Sequence, residues 1–471
     1  MERGNFVGGA WDLDGDPLSV VDPWNGAKVG QVVRASAQRL DAAVEAAVAA
    51  QPAVAALTRD ERAGILERMA LLVTERSVEL ADIIRMEAGK PIRYARLEVA
   101  RAADTLRASA DAARAVAGEE IPLDAASVGR GRLAFTRRFP VGPIASISPF
   151  NFPLNLVAHK VGPAIAAGCA NVLKPASATP LSALLLAEVA AAAGLPPGGL
   201  NVVVCDRRVG QRLVEDERLR LLSFTGSAEV GWALKRDAGK KRVVLELGGN
   251  AAALVLPDAD VDHAAARCSH GGFYQAGQSC ISVQRVLAPR EIYGRLRDAL
   301  VAATAATRFG DTADESVVSG PVIDDGNAAR VEAWIGEAVS QGARLLGGGH
   351  REGRVVTPTL LERVPRSARV VAEEVFGPVV VLDEVASLDE AIAVVNESRF
   401  GLQCGVFTND VGALMRCWRQ IEVGGVVHDD APAFRVDLMP YGGSKDSGLG
   451  REGPRFAVEE MTEPRLLVLR A

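Results

Sequence analysis

The residue best suited to nucleophilic chemistry is Cys280, which follows Gly277-Gln278-Ser279 in a run of small and polar residues. Small neighbours let a substrate carbonyl approach the sulfur, and the backbone N–H of Cys280 could face a developing oxyanion. Most lone cysteines are instead buried and inert, and reactivity requires an accessible thiol whose pKa is lowered. Whether Cys280 is a nucleophile therefore depends on the partners that the rest of the chain supplies.

Two further residues have the chemistry that a nucleophilic cysteine needs. Asn151 lies between prolines in Ser148-Pro149-Phe150-Asn151-Phe152-Pro153; prolines stiffen a loop, so its carboxamide could donate to the same oxyanion. Glu246 ends an apolar strand in Leu245-Glu246-Leu247-Gly248-Gly249, where burial would raise its pKa toward the range of a general base. The simpler alternatives are an asparagine that satisfies its own turn and a strand-end glutamate in water.

A nucleotide-binding turn is predicted at Phe224-Thr225-Gly226-Ser227, where a strand leads through a tight turn into a helix. Helix N-termini bind phosphate through free N–H groups and the helix dipole. Lys174, at the end of another strand, could reach the hydroxyls or phosphate of a cofactor, although most lysines are only solvated. A nucleophile, an oxyanion donor, a base and a phosphate turn together indicate covalent catalysis on a carbonyl with a nucleotide cofactor.

These side chains require a framework of alternating strands and helices. From Val141 onward the pattern of strand, loop and helix repeats, and a second series follows Gly248-Gly249-Asn250. Such alternation predicts an α/β fold with parallel sheets, in which ligands bind at the carboxyl ends of the strands. The chain before Val141 predicts long helices, with Ser36 as an N-cap and Thr58-Arg59-Asp60-Glu61 as a capping box.

Composition argues against several classes of protein. The 471 residues carry a formal net charge of −6 with both signs interspersed, whereas a nucleic-acid-binding protein would show a clustered basic face. We find no apolar run long enough for a membrane span, and the first residues lack the apolar core of a signal peptide. Six scattered cysteines and five histidines show no metal-ligand spacing. We therefore expect a cytoplasmic protein without disulfides, metal, nucleic-acid partner or membrane partner.

The sequence resembles the aldehyde dehydrogenase superfamily over nearly its whole length. The resemblance rests on motifs that occur in this order: Pro149-Phe150-Asn151-Phe152-Pro153, Lys174-Pro175, Phe224-Thr225-Gly226-Ser227, Glu246-Leu247-Gly248-Gly249, Gly277-Gln278-Ser279-Cys280, Glu373-Glu374-Val375-Phe376-Gly377-Pro378 and Met439-Pro440-Tyr441-Gly442-Gly443-Ser444-Lys445-Asp446-Ser447-Gly448. It looks most like the branch of lactaldehyde, non-phosphorylating glyceraldehyde-3-phosphate, succinate-semialdehyde and phosphonoacetaldehyde dehydrogenases. A small anionic or hydroxylated aldehyde is the substrate that this branch implies.

The resemblance implies a role for each motif. Cys280 would attack the aldehyde to give a thiohemiacetal, with Asn151 and the N–H of Cys280 holding the oxyanion. Hydride transfer to NAD or NADP would leave a thioester, and Glu246 would activate water to hydrolyse it. The residues implied in cofactor binding are Lys174, Ser177, Gly210, Phe224, Thr225, Gly226, Ser227, Glu374 and Phe376. Two alternatives stay open: a coenzyme A-acylating enzyme, which Glu246 disfavours, and a non-catalytic nucleotide-binding protein of the same fold.

The choice between NAD and NADP is left open by one departure from the family pattern. Members that prefer NAD often have a glutamate three residues after the lysine, where it binds the adenosine 2′-hydroxyl. Here Ser177 stands at that place, and a serine does not repel a 2′-phosphate. Arg207 and Arg208 could pair with that phosphate, or they are solvated loop charges.

The segment before Pro440 lines the substrate tunnel in the family, and here it contains Arg435. An arginine in that tunnel suggests an anionic substrate held by a charge-assisted contact. The alternative is that Arg435 pairs with Asp437 or another carboxylate. The other candidates for binding the substrate anion are Arg101, His159, Arg285 and Arg451.

The resemblance also implies three parts. These are a Rossmann-like dinucleotide-binding domain (residues 1–118 and 139–247), a catalytic domain (248–447) and a small β oligomerisation arm (119–138 and 448–471). The arm corresponds to the extended segment Ser127 to Phe139 and to the strand-like end Arg465 to Arg470. Exposed strands of this kind are usually covered by a partner, so we expect the two segments to help build an oligomer interface. Both segments could instead edge an internal sheet. A homodimer or homotetramer is therefore expected.

Overall fold

The computed structural model describes residues 2–470, which fold into α-helices, strands and short 3-10 turns. The α-helices are, in chain order, α1 (Ala37–Ala56), α2 (Arg59–Glu75), α3 (Ser77–Ala88), α4 (Ile92–Ala115), α5 (Asn155–Ala167), α6 (Leu181–Ala192), α7 (Arg207–Glu215), α8 (Ala228–Asp237), α9 (Val261–Phe273), α10 (Arg290–Ala306), α11 (Asp325–Ser340), α12 (Arg369–Ala372), α13 (Leu388–Asn396), α14 (Val411–Gln420) and α15 (Pro454–Glu460). The strands are β1 (Glu2–Arg3), β2 (Asn5–Val7), β3 (Ala10–Asp12), β4 (Asp16–Val21), β5 (Lys28–Arg34), β6 (Arg132–Pro140), β7 (Ile144–Ile147), β8 (Asn171–Lys174), β9 (Leu200–Val202), β10 (Leu221–Thr225), β11 (Arg242–Glu246), β12 (Ala251–Val255), β13 (Val283–Pro289), β14 (Arg344–Gly347), β15 (Arg351–Glu352), β16 (Val355–Val356), β17 (Thr359–Glu362), β18 (Val379–Val385), β19 (Phe400–Gly401), β20 (Gln403–Phe407), β21 (Gly425–His428), β22 (Ser444–Lys445), β23 (Gly448–Leu449) and β24 (Thr462–Arg470).

The first large sheet has the strand order β23-β11-β10-β7-β8-β9-β2-β3. Its strands from β11 to β9 run parallel. The strand β23 pairs antiparallel with β11 at one edge, and β2 and β3 extend the other side by antiparallel pairing, with β3 at the edge. Apolar strands such as Leu221–Thr225 are buried along their length because helices cover the sheet. The carboxyl ends of β10 and β11 therefore bring Thr225 and Glu246 to one edge.

The second large sheet has the order β14-β17-β18-β13-β12-β20-β21. All its neighbouring pairs are parallel except β14 with β17. The two sheets are joined through Gly248-Gly249-Asn250, between β11 and β12. The predicted α/β class with parallel sheets is confirmed.

Strands β6 and β24 form a separate two-stranded antiparallel ribbon, with Arg132 opposite Arg470 and Pro140 opposite Thr462. The sequence indicated two strands without a partner; they pair with each other and edge neither large sheet. Residues 448–461, which the sequence assigned to the arm, pack on the first layer instead: β23 pairs with β11, and α15 contacts α4 and α5. Of the described part of the predicted arm segment 448–471, only β24, which begins at Thr462, belongs to the ribbon.

The helices α1 and α2 begin at the predicted caps. The Ser36 hydroxyl accepts a hydrogen bond from the N–H of Arg39, and Thr58 and Glu61 form the predicted capping box at the start of α2. Within residues 2–470, no single helix combines the length and apolar composition that a membrane span needs; α1 and α2 meet that test only jointly, as a pair bent by 114°.

Candidate active site

One large cavity, of about 1360 Å³, is lined by residues of both layers. It is bounded by the loop after β7, the ends of β10 and β11, one face of α4 and the Cys280 loop. The predicted site residues that line it are Asn151, Phe224, Thr225, Gly226, Ser227, Glu246, Cys280, Glu374, Phe376, Arg101 and Arg435. The fold thus gathers the predicted nucleophile, oxyanion donor, base and phosphate turn in one place.

Cys280 follows a tight turn with unusual backbone geometry. Gln275, Ala276 and Gly277 have φ values of 42°, 60° and 66°, a left-handed conformation that costs non-glycine residues energy and that clusters at functional sites. A side chain at Gly277 would also overlap the carbonyl of Gly377. Cys280 follows this turn and is partly exposed, and it lines the cavity.

The sulfur of Cys280 lies 2.8 Å from the hydroxyl oxygen of Tyr441. Burial raises the pKa of the Cys280 thiol to about 12, while the Tyr441 hydroxyl and the Arg435 guanidinium act in the opposite direction. Arg435 also lies over the Tyr441 ring, 3.6 Å from its centroid. Tyr441 belongs to a motif that carried the family resemblance, but its contact with the sulfur was not predicted.

Asn151 is buried beside the Cys280 loop. Its Nδ2 donates to the carbonyl oxygen of Gln278 at 3.0 Å, and its Oδ1 has no hydrogen-bond partner among the described residues. An amide nitrogen carries two hydrogens, so the second N–H of Nδ2 is available to another acceptor. This geometry suits the predicted oxyanion contact.

Glu246 is a buried carboxyl, 3% exposed, and neither of its oxygens has a hydrogen-bond partner among residues 2–470. Burial raises its pKa well above the ordinary value, and the nearby carboxylate of Glu452 raises it further, against Arg435, Lys160 and Arg451. A carboxyl with a raised pKa is suited to accept a proton near neutral pH. The structure thus gives Glu246 the environment of a general base rather than that of a solvated strand end.

A buried ion pair lies behind Glu246 and was missed by sequence reasoning. Lys160 is 1% exposed, donates to the hydroxyls of Ser223 and Thr225 at 3.1 and 2.7 Å and lies 3.5 Å from Glu452. Burial alone would raise the pKa of Glu452, but chiefly Lys160, with His159 and Arg435, lowers it to about 2. Lys160 gave no signal, because it stands in an apolar helix whose partners are distant in sequence.

Two of the arginines predicted to bind a substrate anion, Arg101 and Arg435, are held by carboxylates of the protein. Arg101 donates two hydrogen bonds to Asp437, at 2.9 and 2.8 Å, and His159 contacts the same carboxylate at 2.8 Å. Arg435 lies 3.1 Å from Glu452 and 3.8 Å from Asp437. The alternative that Arg435 pairs with a carboxylate is therefore what the structure shows. His159 and Arg101, although burial opposes them, hold the pKa of Asp437 well below its usual range.

The residues expected to hold a nucleotide lie along the same cavity. Ser227 precedes α8, and its side chain makes no capping hydrogen bond. The first N–H groups of α8 therefore have no side-chain acceptor from Ser227, and the start of this helix lines the cavity. Glu374 accepts the N–H of Gly249 at 3.0 Å, and burial raises its pKa to about 7. Phe376, at a φ of 47°, packs edge-on against Phe150 with ring centroids 5.8 Å apart.

Three further cofactor candidates form a small group outside the cavity lining, next to Ala176, which lines it. Lys174 donates to the carbonyl of Pro175 at 3.3 Å, and burial lowers its pKa. Ser177 donates to the carbonyl of Cys205 at 3.3 Å. A side chain at Gly210 would lie 2.7 Å from Cδ of Lys174, so Gly210 leaves room for the lysine.

Arg285 corrects an expectation. It was a candidate for binding the substrate anion, but its guanidinium donates to the carbonyls of Val394 and Asn250, each at 3.1 Å. Arg285 lines a second, smaller cavity and is absent from the lining of the first. The alternation of side chains along β13 decides this, and a basic residue in a strand does not reveal which cavity it faces.

Comparisons with known proteins identify the family of the chain. The model of the aldehyde dehydrogenase family matches residues 11–467. The 3-sulfolactaldehyde dehydrogenase of Priestia aryabhattai is 43% identical over 469 residues, which are 99% of this chain and 98% of that protein. The crystal structure of aldehyde dehydrogenase 21 from Physcomitrella patens, in complex with the reaction product succinate, has a TM-score of 0.98 and 43% identity, covering 100% of this chain and 98% of that one.

A third relative carries a nicotinamide cofactor. The NADP-dependent glyceraldehyde-3-phosphate dehydrogenase from Bacillus halodurans C-125, solved with NADP, has a TM-score of 0.97 and 33% identity over 100% of this chain and 99% of that chain. The branch that the motifs indicated is thereby confirmed. Since the family model spans nearly the whole chain, the protein belongs to the aldehyde dehydrogenase family and is an aldehyde-oxidising oxidoreductase.

Proposed function

We propose that this protein oxidises a small anionic or hydroxylated aldehyde to its carboxylic acid, with NAD or NADP, through covalent intermediates on Cys280. The observation that carries the proposal is that Cys280, Asn151 and Glu246 line one cavity together with the free N-terminus of α8. A nucleophile, an oxyanion donor and a base in one site are the parts that covalent aldehyde oxidation requires.

The first step uses the contact between Cys280 and Tyr441. The thiol of Cys280 transfers its proton to a water molecule, and the resulting thiolate accepts a hydrogen bond from the Tyr441 hydroxyl. The sulfur then adds to the aldehyde carbon to form a thiohemiacetal. The carbonyl oxygen then carries the negative charge. The backbone N–H of Cys280 and the second N–H of Asn151 Nδ2 stabilise this charge before hydride leaves the carbon.

The residues of the cavity fit a nicotinamide dinucleotide. The N-terminal N–H groups of α8 suit a pyrophosphate, Glu374 suits ribose hydroxyls, and Phe376 and Phe150 give an apolar wall for the nicotinamide end. When bound, NAD or NADP supplies the hydride acceptor. The NADP bound by the Bacillus halodurans relative supports this proposal. Because Ser177 does not repel a 2′-phosphate, NAD and NADP are both to be tested as cofactors.

Glu246 completes the reaction by hydrolysis. It takes a proton from water, the hydroxyl oxygen adds to the thioester carbon, and Cys280 leaves as a thiolate while the carboxylic acid is released. The negative charge of Glu452 favours protonation of Glu246, so it draws the proton toward Glu246 in this step. Transfer to coenzyme A would not need this base, which is why hydrolysis is favoured.

An anionic or hydroxylated substrate is supported by the polar end of the cavity and by relatives that act on sulfolactaldehyde or were solved with succinate. Arg101 and Arg435 line the cavity and are joined there by Asp437. Asp437 and Glu452 already engage both guanidinium groups, so a substrate anion would have to share or displace these carboxylates.

A homodimer or homotetramer is supported by the β6–β24 ribbon, because its faces expose large apolar side chains. These are Leu133, Phe135, Leu466, Leu467, Val468 and Leu469. Contiguous exposed apolar surface marks interaction sites. Leu467→Glu should shift the mass measured by light scattering toward the monomer, while Leu71→Glu, on another exposed surface, should leave it unchanged.

All six cysteines are free thiols, which supports the proposed cytoplasmic location.

The test is to follow absorbance of the reduced nicotinamide with NAD and with NADP, against lactaldehyde, succinate semialdehyde, glyceraldehyde 3-phosphate, phosphonoacetaldehyde and a neutral alkyl aldehyde. We expect turnover that is concentrated on an anionic or hydroxylated aldehyde and is lost in Cys280→Ala. Preferential turnover of the neutral aldehyde, with no loss for Arg435→Ala on the anionic ones, would contradict the substrate proposal. A coenzyme A thioester as product would contradict the hydrolytic step.

A further inference from the structure

A second cavity, of about 350 Å³, lies against the face of β13 and β18. Its charged lining residues are three arginines and three carboxylates: Arg285, Arg366, Arg399, Glu373, Asp383 and Glu397. Neither catalysis nor cofactor binding, as derived above, uses Arg285 or Asp383. The volume is at the lower end of ligand-binding pockets, which run from about 300 to 1,000 Å³.

Four of the six charges are already neutralised. Arg366 lies 3.6 Å from Glu397 and donates to Glu390 at 2.9 Å. Arg399 lies 3.1 Å from Glu373. Arg285 and Asp383, in contrast, have no ion pair within 4.0 Å anywhere in residues 2–470. One cation and one carboxylate of the cavity are therefore left without a charged partner.

Arg285 is the better defined of the two groups. It is 5% exposed, and its hydrogen bonds go to two backbone carbonyls, while its Nε has no acceptor among the described residues. Burying a charge without a partner of opposite sign is costly. An anion in the cavity would supply the missing opposite charge.

Asp383 faces the same cavity from the neighbouring strand. In the parallel pairing of β13 with β18, Arg285 is opposite Val381 and Leu287 is opposite Asp383. Residues two apart in a strand share a face, so Arg285 and Asp383 lie on the same face of the sheet. The pair of Val286 and Leu382, which faces the other side, stands between them along the strands. Leu287 and Val381 separate them with apolar surface. The cavity thus offers a cation and a carboxylate on the same face of the sheet.

We propose that this second cavity binds a small carboxylic acid that carries a hydroxyl or ammonium group on the neighbouring carbon. Its carboxylate accepts hydrogen bonds from Arg285, and its hydroxyl or ammonium group donates to Asp383. A dianion such as phosphate suits the cavity less well, because three carboxylates surround it. This proposal concerns a separate site and does not rest on the proposed aldehyde substrate.

A ligand in this cavity would be close to the cofactor residues. Glu373 and Arg399 line both cavities. The carbonyl of Asn250 accepts from Arg285, and the adjacent Gly249 donates its N–H to Glu374. Because coupling between two binding sites is reciprocal, the carboxylic acid and the cofactor should change each other's affinity by the same factor.

Calorimetry on the full chain without aldehyde or cofactor tests the proposal, with acetate, lactate, glycine and inorganic phosphate as probes. We expect lactate or glycine to bind more tightly than acetate and phosphate. Arg285→Gln removes charge-assisted hydrogen bonds of about 1.5–3 kcal/mol, so it should weaken that binding roughly 10- to 100-fold. The matched control is Arg354→Gln, which removes a surface arginine paired with Asp325 and should leave the affinity unchanged.

A second variant keeps the buried arginine and so protects the test against misfolding. Asp383→Asn should weaken the binding of lactate or glycine and leave that of acetate unaltered, because acetate has no donor group. Equal affinities in Arg285→Gln and Arg354→Gln would overturn the proposal. It would also be overturned if Arg101→Gln, in the large cavity, abolished the binding while Arg285→Gln did not.

Discussion

The hydroxyl of Tyr441 controls how readily the Cys280 thiol loses its proton, and Tyr441→Phe isolates that effect. The hydroxyl lies 2.8 Å from the sulfur and can donate to the thiolate but gains less from the neutral thiol. Phenylalanine keeps the ring under Arg435 and removes only the donor. We therefore expect the variant to fold normally and its Cys280 thiol to have a higher pKa.

The size of the effect follows from the hydrogen bond. A hydrogen bond to a charged group contributes about 1.5–3 kcal/mol, and one pKa unit corresponds to about 1.36 kcal/mol, so the thiol pKa should rise by about 1–2 units. Below that pKa, the thiolate fraction would fall about 10- to 100-fold. A more basic thiolate is a better nucleophile, with a Brønsted coefficient of about 0.4–0.5; the net loss of reactivity is therefore about 3- to 10-fold.

The assay is the rate of alkylation by iodoacetamide, measured by mass spectrometry of the peptide that contains Cys280, between pH 7 and 10. Tyr94→Phe is the matched control, because Tyr94 lines the same cavity and its buried hydroxyl has no hydrogen-bond partner in the described chain. Tyr441→Phe should be slower than this control at every pH. Equal or faster alkylation in Tyr441→Phe would refute the argument that the hydroxyl stabilises the thiolate.

Three further predictions concern stability and the cofactor. Burial raises the pKa of Glu374 from 4.5 to about 7, so the contribution of this residue to folding stability is fully present below pH 4.5. That contribution should fall by about 3 kcal/mol as pH rises from 4.5 through 7. Glu374→Gln should flatten that part of a denaturation-versus-pH profile, and an unchanged slope would contradict it. Thr58→Ala removes the α2 cap and should lower the free energy of unfolding by about 0.5–2 kcal/mol, whereas Thr58→Ser should retain most of it. A methyl group at Gly248 would overlap the Glu374 carboxylate; Gly248→Ala should therefore weaken NAD or NADP binding in fluorescence titrations, and unaltered affinity would argue against Glu374 as a cofactor ligand.

The reacting groups could be predicted from sequence because their residue types and neighbours are distinctive. Cys280, Asn151 and Glu246 each stand in a short motif of glycine, proline or alternating apolar residues, and such local patterns survive without knowledge of the fold. Lys160 and Glu452 could not be found in this way. Their significance arises only from burial beside Glu246, which depends on segments far apart in the chain.

The architecture was predictable for a similar reason. Alternation of strands and helices sets the α/β class, and the capping box at Thr58 sets the start of α2. Partner choice was not predictable: β6 and β24 were recognised as strands, but their mutual pairing joins residues more than three hundred positions apart. The orientation of Arg285 could not be predicted, because a strand presents two faces and only the packed structure shows which cavity each face lines.

The late return of the chain to the first sheet has a consequence for how the protein is made. Tyr441 lies 161 residues after Cys280, Glu452 follows its contact Thr225 by 227 residues, and β23 closes the side of β11. Ribosomes add about 5–20 residues per second, so roughly ten seconds or longer pass between the synthesis of β11 and that of β23, the strand that pairs with its free side. During that interval the nascent sheet exposes an unpaired strand, which is a template for aggregation. Slower synthesis or assistance by chaperones should therefore affect the yield of active enzyme more than the activity of each molecule.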